Sequence, residues 1–289
     1  MKRSPSPLRR KYQLTLGRYT LYLGPRTLVM AIVNRTPDSF SDGGAMMSDS
    51  RALARVREFA NVGADIIDVG GESTRPGSVG VSVKEEIRRT IPFIKKLARS
   101  FDVPISIDTT KSRVAEAALD EGAVLVNDIS GLMRDKKMAK VIARRNAGCV
   151  VMHSKGMPNR MQRNPAYRDV IREIIEFLKK GVDIALDAGV DKKKIIVDPG
   201  IGFGKTAQHN LQILKSLKEF EILDMPIMVG TSRKSFIGDI LGVPAAMRIF
   251  GTAASVAWAA AHGAHIVRVH DVKEMAQVVK LTDAIINAK

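Results

Sequence analysis

The stretch RALARVREFANVGADIIDVGGESTRPG, residues 51–77, holds one full cycle of the pattern that decides the fold. Arg51–Val62 has helical spacing of apolar residues, Asp65–Val69 is a short run that is almost wholly apolar, and Gly70–Gly77 mixes glycine, proline and charge. A strand so short and apolar on both faces suits a parallel sheet covered by helices. Outward from this stretch the cycle repeats. The strand candidates are Leu28–Val33, Asp65–Val69, Pro104–Ile107, Val124–Val126, Cys149–Met152, Ile195–Val197, Pro226–Val229 and His265–Val269. Between them lie helical stretches such as Val83–Ser100, Ser112–Glu121, Tyr167–Ala188 and Val272–Ile286. Strands alternating with helices imply parallel βαβ units, and eight of them imply a closed (β/α)8 barrel of the α/β class, the TIM barrel. A doubly wound open sheet is the alternative.

Ahead of the barrel, Tyr12, Leu14 and Leu16, then Tyr19, Leu21 and Leu23, alternate around Gly17–Arg18. They predict a short N-terminal β-hairpin that could plug the bottom of the barrel. The domain reading is a basic, disordered tail over 1–11 and a single barrel domain over 12–289. A chain of 289 residues with 45% apolar and 26% charged residues can bury such a core unaided. Cys149 is the only cysteine, so no disulfide framework exists, which fits a reducing cytoplasm. The net charge of +16 is concentrated at the start: Lys2, Arg3, Arg9, Arg10, Lys11, Arg18, Arg26 and Arg35 precede the first acidic residue, Asp38. Such a tract can touch nucleic acid or anionic lipid or draw in anionic substrates, but its simplest reading is a solvated tail, with a transit peptide as an alternative. No run approaches the ~20 apolar residues of a membrane helix, so no membrane association is expected.

Beyond its last apolar residue each strand runs into polar ones: Asn34, Glu72 with Thr74 and Arg75, Asp108, Asn127 with Asp128, His153, Asp198, Thr231 with Arg233 and Lys234, and Arg268 with His270. Barrel active sites assemble at these C-terminal strand ends. Each of Asp108, Asn127 and Asp198 alone could be a helix cap. Together they suit a planar ligand edge, since a carboxylate accepts parallel N–H bonds and an amide offers a donor beside an acceptor. Arg268 and His270 flank Val269 at alternate positions and, with Lys234, read as an anion site. The segment DPGIGFGKT, Asp198–Thr206, fails as a phosphate-binding P-loop because Pro199 stands where that motif needs glycine. Its glycines instead let the backbone turn beside a flat ligand, with Phe203 as a wall and Lys205 as a substrate contact or Schiff-base lysine. The loops from Asn34 to Gly44 and from Gly70 to Gly77 are candidate lids. No zinc spacing exists, whereas Mg²⁺ held by Asn34 and substrate phosphates is compatible with the sequence.

At these places the chain resembles the dihydropteroate synthase family. The matching pieces are NRTPDSFSDGG, DVGGESTRPG, SIDT, VNDISG, VMH, DPGIGFGK, GTSRKSFIG and RVHDV, in family order and one at each strand exit. The resemblance implies an enzyme that joins 6-hydroxymethyl-7,8-dihydropterin pyrophosphate to p-aminobenzoate in folate biosynthesis. It implies that Asp108, Asn127, Asp198 and Lys234 hold the pterin, that Arg268 stacks on it, and that Ile129, Met152 and Gly230 line the pocket. Pyrophosphate is implied at Asn34, Arg268 and His270 with Mg²⁺ at Asn34, and p-aminobenzoate at Thr74, Arg75, Phe203, Lys205 and Ser235. Asp38, Arg75, Lys234, Arg268 and His270 would act at the reacting atoms, Asp38 by stabilising a cation or ordering its loop. A homodimer through Met247–Ala261 and Val272–Ile286 is also implied, and sulfonamide sensitivity, because nothing is inserted after Phe203. Two features depart from the family pattern: the basic tail, and Arg35, whose charge either faces away from the mouth or aids the phosphate site.

Three other readings compete. Methyltetrahydrofolate methyltransferases share the barrel and the pterin-binding carboxylates but do not need the TPDSF loop or Ser235. An inactive homologue would have lost a key residue, and none is lost. A nucleic-acid binder would need aromatic residues interleaved with the charge or a recognised motif.

Overall fold

The computed structural model describes residues 9–36, 48–73, 78, 80–156, 161–162 and 164–288. Strands β1 (Tyr12–Leu16) and β2 (Tyr19–Leu23) form the expected antiparallel hairpin, Leu16 pairing with Tyr19 across a turn where Gly17 takes φ +56°. Then come β3 (Leu28–Asn34), α1 (Asp49–Asn61), β4 (Ile66–Gly70), α2 (Val83–Ser100), β5 (Ile105–Asp108), α3 (Ser112–Asp120), β6 (Leu125–Asp128) and α4 (Met138–Arg144). The second half runs β7 (Gly148–Met152), α5 (Val170–Asp187), β8 (Ile195–Asp198), α6 (Ala207–Lys215), β9 (Met228–Val229), α7 (Ser235–Leu241), α8 (Ile249–Ala261), β10 (Ile266–Val269) and α9 (Val272–Ile286). All eight barrel strands are parallel, in the order β8-β7-β6-β5-β4-β3-β10-β9. The ring closes where Val197 bridges Ile227 and its N–H donates to the Pro226 carbonyl at 2.9 Å. The open-sheet alternative is thereby excluded. Strand β9 is shorter than the sequence suggests, because Pro226 has no N–H to give a ladder. Helix α5 starts at Val170, not Tyr167, because the Asp169 carboxylate caps the N–H groups of Ile171 and Arg172.

Two apolar clusters separate by strand parity. Odd and even neighbours point oppositely, so Ile67 and Val69 of β4 pack outward on the helices, while Ile66 points into the barrel. The inner cluster is a floor made of Met30, Ile66, Leu125, Val150, Ile196, Met228 and Ile266, closed from below by Leu14, Leu16 and Leu23 of the hairpin. Gly148 makes room for the plug: a Cβ there would lie 2.4 Å from Leu16 Cδ2. The same parity carries Asp68, Asp108, Asn127, Met152, Asp198, Gly230 and Arg268 to the inner face, above that floor.

The basic stretch before the hairpin departs from the expected solvated tail. Arg9 is only 3% exposed: its guanidinium donates to the Asp283 carboxylate at 2.5 Å, to the Ala264 carbonyl at 3.2 Å and to the Thr27 hydroxyl. A buried guanidinium persists where partners neutralise it, and Asp283 of the last helix does so here. The boundary placed at residue 11 therefore falls no later than Arg9. Among the described residues, no helix is long and apolar enough to cross a membrane.

Candidate active site

Above the apolar floor, the inner face of the barrel carries a connected charge network. Arg268, on β10, donates from Nε to Asp68 Oδ2 at 2.6 Å and from Nη2 to Asp108 Oδ2 at 2.6 Å. Asn127 Nδ2 donates to the same Asp68 oxygen at 3.1 Å. The guanidinium plane is thus fixed by two carboxylates on neighbouring strands. Asp108 is not the cap of α3, whose first turn is met instead by Asp135 accepting from the Ser112 N–H at 2.8 Å. Burial pushes the Asp108 carboxyl up to about 7 against the opposing pull of Arg268. Asn127 Oδ1 and Asp68 Oδ1 are buried and make no hydrogen bond among the described residues. Buried acceptors left open in this way mark a place where a ligand can donate.

The β8 exit supplies the second half of the site. Asp198 Oδ1 accepts from the Gly200 N–H at 2.7 Å, and burial raises its pKa while Lys234 opposes the rise. Lys234 lies with its ammonium 4.7 Å from the Phe203 ring centroid and bonded to the Ile201 carbonyl; burial draws its pKa down to about 8. The turn from Asp198 to Lys205 needs its glycines. Gly200 sits at φ +69°, and a Cβ there would fall 1.9 Å from the His153 carbonyl oxygen. Lys205 closes the turn: its buried ammonium meets His153 Nδ1 and the Gly200 carbonyl at 2.8 Å each, and the Phe203 carbonyl at 3.1 Å. Burial lowers its pKa well below the usual value, and burial together with the Lys205 charge takes His153 down to about 2.

The remaining expected residues surround these two groups. Ile129 and Met152 are buried at the exits of β6 and β7. Gly230 leaves space beside Arg268 and Lys234, since a Cβ on it would stand 3.7 Å from Arg268 Cβ and 3.8 Å from Lys234 Nζ. His270 shares a 3.0 Å hydrogen bond between its Nδ1 and Ser232 Oγ, which also accepts from the His270 N–H at 3.2 Å. Asn34 ends β3 beside Gly70, on the strand next to β10. Ser235 is exposed at the start of α7, directly after Lys234. Asp38, Thr74 and Arg75, with most of the first candidate lid and half of the second, lie outside the described residues. Arg35 faces away from the mouth: its guanidinium donates to Asp49 at 2.5 Å and lies 4.6 Å from the Phe93 ring centroid, against α1 and α2. Among the described residues, no group of three or more His, Cys, Asp or Glu could hold a metal.

Sequence reasoning missed Asp68, which anchors Arg268, and Ser232, which orients His270. The signal for Asp68 was present: it is two residues from Gly70 in an otherwise apolar run, hence on the same inner face.

The family described as pterin binding enzyme matches residues 30–270. A dihydropteroate synthase of Synechocystis sp. is 48% identical over 273 residues, covering 94% of both chains. The crystal structure of the Yersinia pestis dihydropteroate synthase with a sulfonamide drug complex superposes with a TM-score of 0.91 at 41% identity, covering 96% of this chain and 100% of that one. A Xanthomonas albilineans dihydropteroate synthase with 4-aminobenzoic acid gives 0.90 at 38% identity, covering 97% and 100%.

Proposed function

The chain belongs to the dihydropteroate synthase family of pterin-binding enzymes, and from that premise we propose how its own residues carry the reaction. The enzyme is a transferase that condenses 6-hydroxymethyl-7,8-dihydropterin pyrophosphate with p-aminobenzoate, giving 7,8-dihydropteroate and pyrophosphate for folate synthesis. One observation supports the assignment of roles most strongly: Asp108, Asn127, Asp198 and Arg268 converge on the inner face of four strands above a dry floor.

Asp198 and Asn127 accept from the amino-pyrimidine edge of the pterin, Asn127 through its Oδ1, which makes no other hydrogen bond among the described residues. Asp108 accepts from the ring on the opposite side, and Lys234 donates to a ring acceptor. The flat face of Arg268, held by Asp68 and Asp108, covers the ring. Ile129, Met152 and Gly230 shape the slot. Asn34, Arg268 and His270 meet the pyrophosphate, with Ser232 accepting or donating at His270 Nδ1 according to its tautomer.

The bond from the methylene carbon to the pyrophosphate oxygen breaks first, and its electron pair leaves with the pyrophosphate. The pterin ring delocalises the cation, Asp38 on its loop counters the charge, and the arylamine nitrogen attacks the carbon and then loses a proton. Fixed donors placed where charge develops lower the barrier without reorganising. Mg²⁺ would bind the neutral amide oxygen of Asn34 and the substrate phosphates, a hard donor set that suits it, and would neutralise the leaving group. Thr74, Arg75, Phe203 and Ser235 receive p-aminobenzoate. Lys205, with its three donors already bonded, serves that pocket by holding the turn that carries Phe203.

The working unit is a homodimer. Phe250, 84% exposed, lies on helix α8, which is apolar all round, Met247, 63% exposed, in the turn just before it, and Ile285, 68% exposed, on its neighbour α9. A helix of that composition calls for cover on every side. Light scattering should give twice the chain mass at micromolar concentration, and Phe250→Asp should give a monomer. We place the enzyme in the reducing cytoplasm, with its single thiol buried. The decisive assay supplies both substrates and Mg²⁺ and measures dihydropteroate and released pyrophosphate. Formation of neither product would overturn the assignment of roles.

A further inference from the structure

The turn that carries Phe203 is held by more side chains than the reaction as described employs. Gly200, Gly202 and Gly204 take φ of +69°, +81° and +65°, so the backbone on both sides of Phe203 is made of the residue type with the most conformational freedom. Yet every carbonyl from Gly200 to Gly204 accepts a hydrogen bond from a side chain. Lys205 serves those of Gly200 and Phe203, and Lys234 that of Ile201. The other two donors have no part in the scheme above. Gln162 Nε2 donates to the Gly202 carbonyl at 2.5 Å and the Tyr167 hydroxyl to the Gly204 carbonyl at 2.8 Å, one on each side of Phe203. Both lie between β7 and α5, at the strand exit next to that of β8. Tyr167 is itself fixed. The Lys155 ammonium lies 4.0 Å from its ring centroid and donates to the Ala166 carbonyl at 2.5 Å and to Glu173 of α5 at 3.3 Å. His209, in the first turn of α6, meets the ring edge to face with centroids 5.0 Å apart. Burial raises the Tyr167 phenol above its ordinary value, so the hydroxyl stays a donor.

We propose that Tyr167 and Gln162 are positioning residues for p-aminobenzoate, clamping the turn on either side of Phe203 so that its ring is already in place as the wall of the arylamine pocket. The inference rests on the function proposed above, in which Phe203 receives that substrate. A wall carried between glycines would have to be ordered each time the substrate binds, and that ordering lowers affinity. Clamps that order the turn beforehand remove the loss. The pterin end of the turn is anchored separately, where Asp198 Oδ1 accepts from the Gly200 N–H at 2.7 Å, so the two clamps bear on the second substrate and not on the first.

Steady-state kinetics on the full chain test this, varying each substrate at saturation of the other, for wild type, Tyr167→Phe, Gln162→Met, Phe203→Ala and the double variant Tyr167→Phe/Phe203→Ala. Tyr167→Phe removes one hydroxyl and keeps the ring contacts with Lys155 and His209. In each of Tyr167→Phe and Gln162→Met, KM for p-aminobenzoate should rise about three- to tenfold while KM for the pterin pyrophosphate stays within about twofold. On the Phe203→Ala background, where the wall is already gone, Tyr167→Phe should add less than about twofold. A p-aminobenzoate KM within about twofold of wild type in either folded single variant would overturn the inference, as would an equal loss for both substrates or an undiminished effect of Tyr167→Phe on the Phe203→Ala background. Gln162→Met decides the matter if Tyr167→Phe fails to fold. An unchanged p-aminobenzoate KM in Phe203→Ala, or wild-type protein that makes no dihydropteroate, would overturn the parent reading and the inference with it.

Discussion

Replacing Asp68 by Asn tests whether the plane of Arg268 is set from below. Asp68 has no exposed surface and makes no direct approach to the strand exits, yet its Oδ2 accepts from both Arg268 Nε and Asn127 Nδ2. Asparagine fills the same volume and can present its Oδ1 to both donors, but it carries no charge, so both bonds weaken and Arg268 loses one of its two counter-charges. A hydrogen bond to a charged group contributes about 1.5–3 kcal/mol, and each 1.4 kcal/mol is tenfold in binding, so affinity for the pterin substrate should fall roughly 10- to 150-fold. Arg268 keeps Asp108, so the fold should survive: a loss of about 2 kcal/mol lowers Tm by about 4–8 °C at this chain length. Titration calorimetry with a non-reacting pterin, read beside the melting curve, separates the two effects. Unchanged pterin affinity in a well-folded Asp68→Asn protein would refute the reasoning. So would equal weakening of p-aminobenzoate, which Arg268 does not hold.

The same geometry sets other outcomes. With Asp108 up to about 7 and Lys234 down to about 8, kcat/KM for the pterin substrate should be bell-shaped. It falls below the acid limb as Asp108 gains a proton and above the basic limb as Lys234 loses one, and Lys234→Arg should remove the basic limb. Gly200→Ala forces a Cβ against the His153 carbonyl at φ +69°, so it should abolish pterin binding in a calorimetric titration, with a visibly altered near-UV spectrum. The Cys149 thiol, buried and pushed up to about 12, should react with a thiol reagent at pH 8 only after denaturation. A sulfonamide in large excess over p-aminobenzoate should suppress turnover, since no insertion widens the turn after Phe203; unchanged turnover would reject this.

The barrel was legible because its strands are short, apolar runs and the polar residues gather at one end of each. Asp68 escaped notice because it lies inside a strand, where a single polar residue is masked by four apolar neighbours, and attention to exits passes over it. Arg9 escaped for a different reason. A basic tract read from composition shows its charge and not its partner, and Asp283 is 274 residues away. Lys205 shows the limit again, since glycine next to lysine suggests a ligand contact, while the pairing with His153 spans 52 residues and exists only in the folded chain.

The hairpin at the far end of the barrel bears on the chemistry through solvent. Leu14, Leu16 and Leu23 close the floor formed by Ile66, Leu125, Ile196 and their neighbours, and strand rise places Asp68 about 7 Å beyond Ile66 of that layer. Water cannot reach the charges from below. Burial is the leading cause of the shifts at Asp108, Asp198, Lys205 and Lys234 alike. In such surroundings an unpaired charge is costly and a paired one is strongly held, which is why Arg268 is locked between two carboxylates before any substrate arrives. That locking is useful to a reaction whose hard step is parting a cation from pyrophosphate. Groups already fixed and dry need not reorganise when charge separates above them, so the leucines that close the bottom contribute to catalysis at the top.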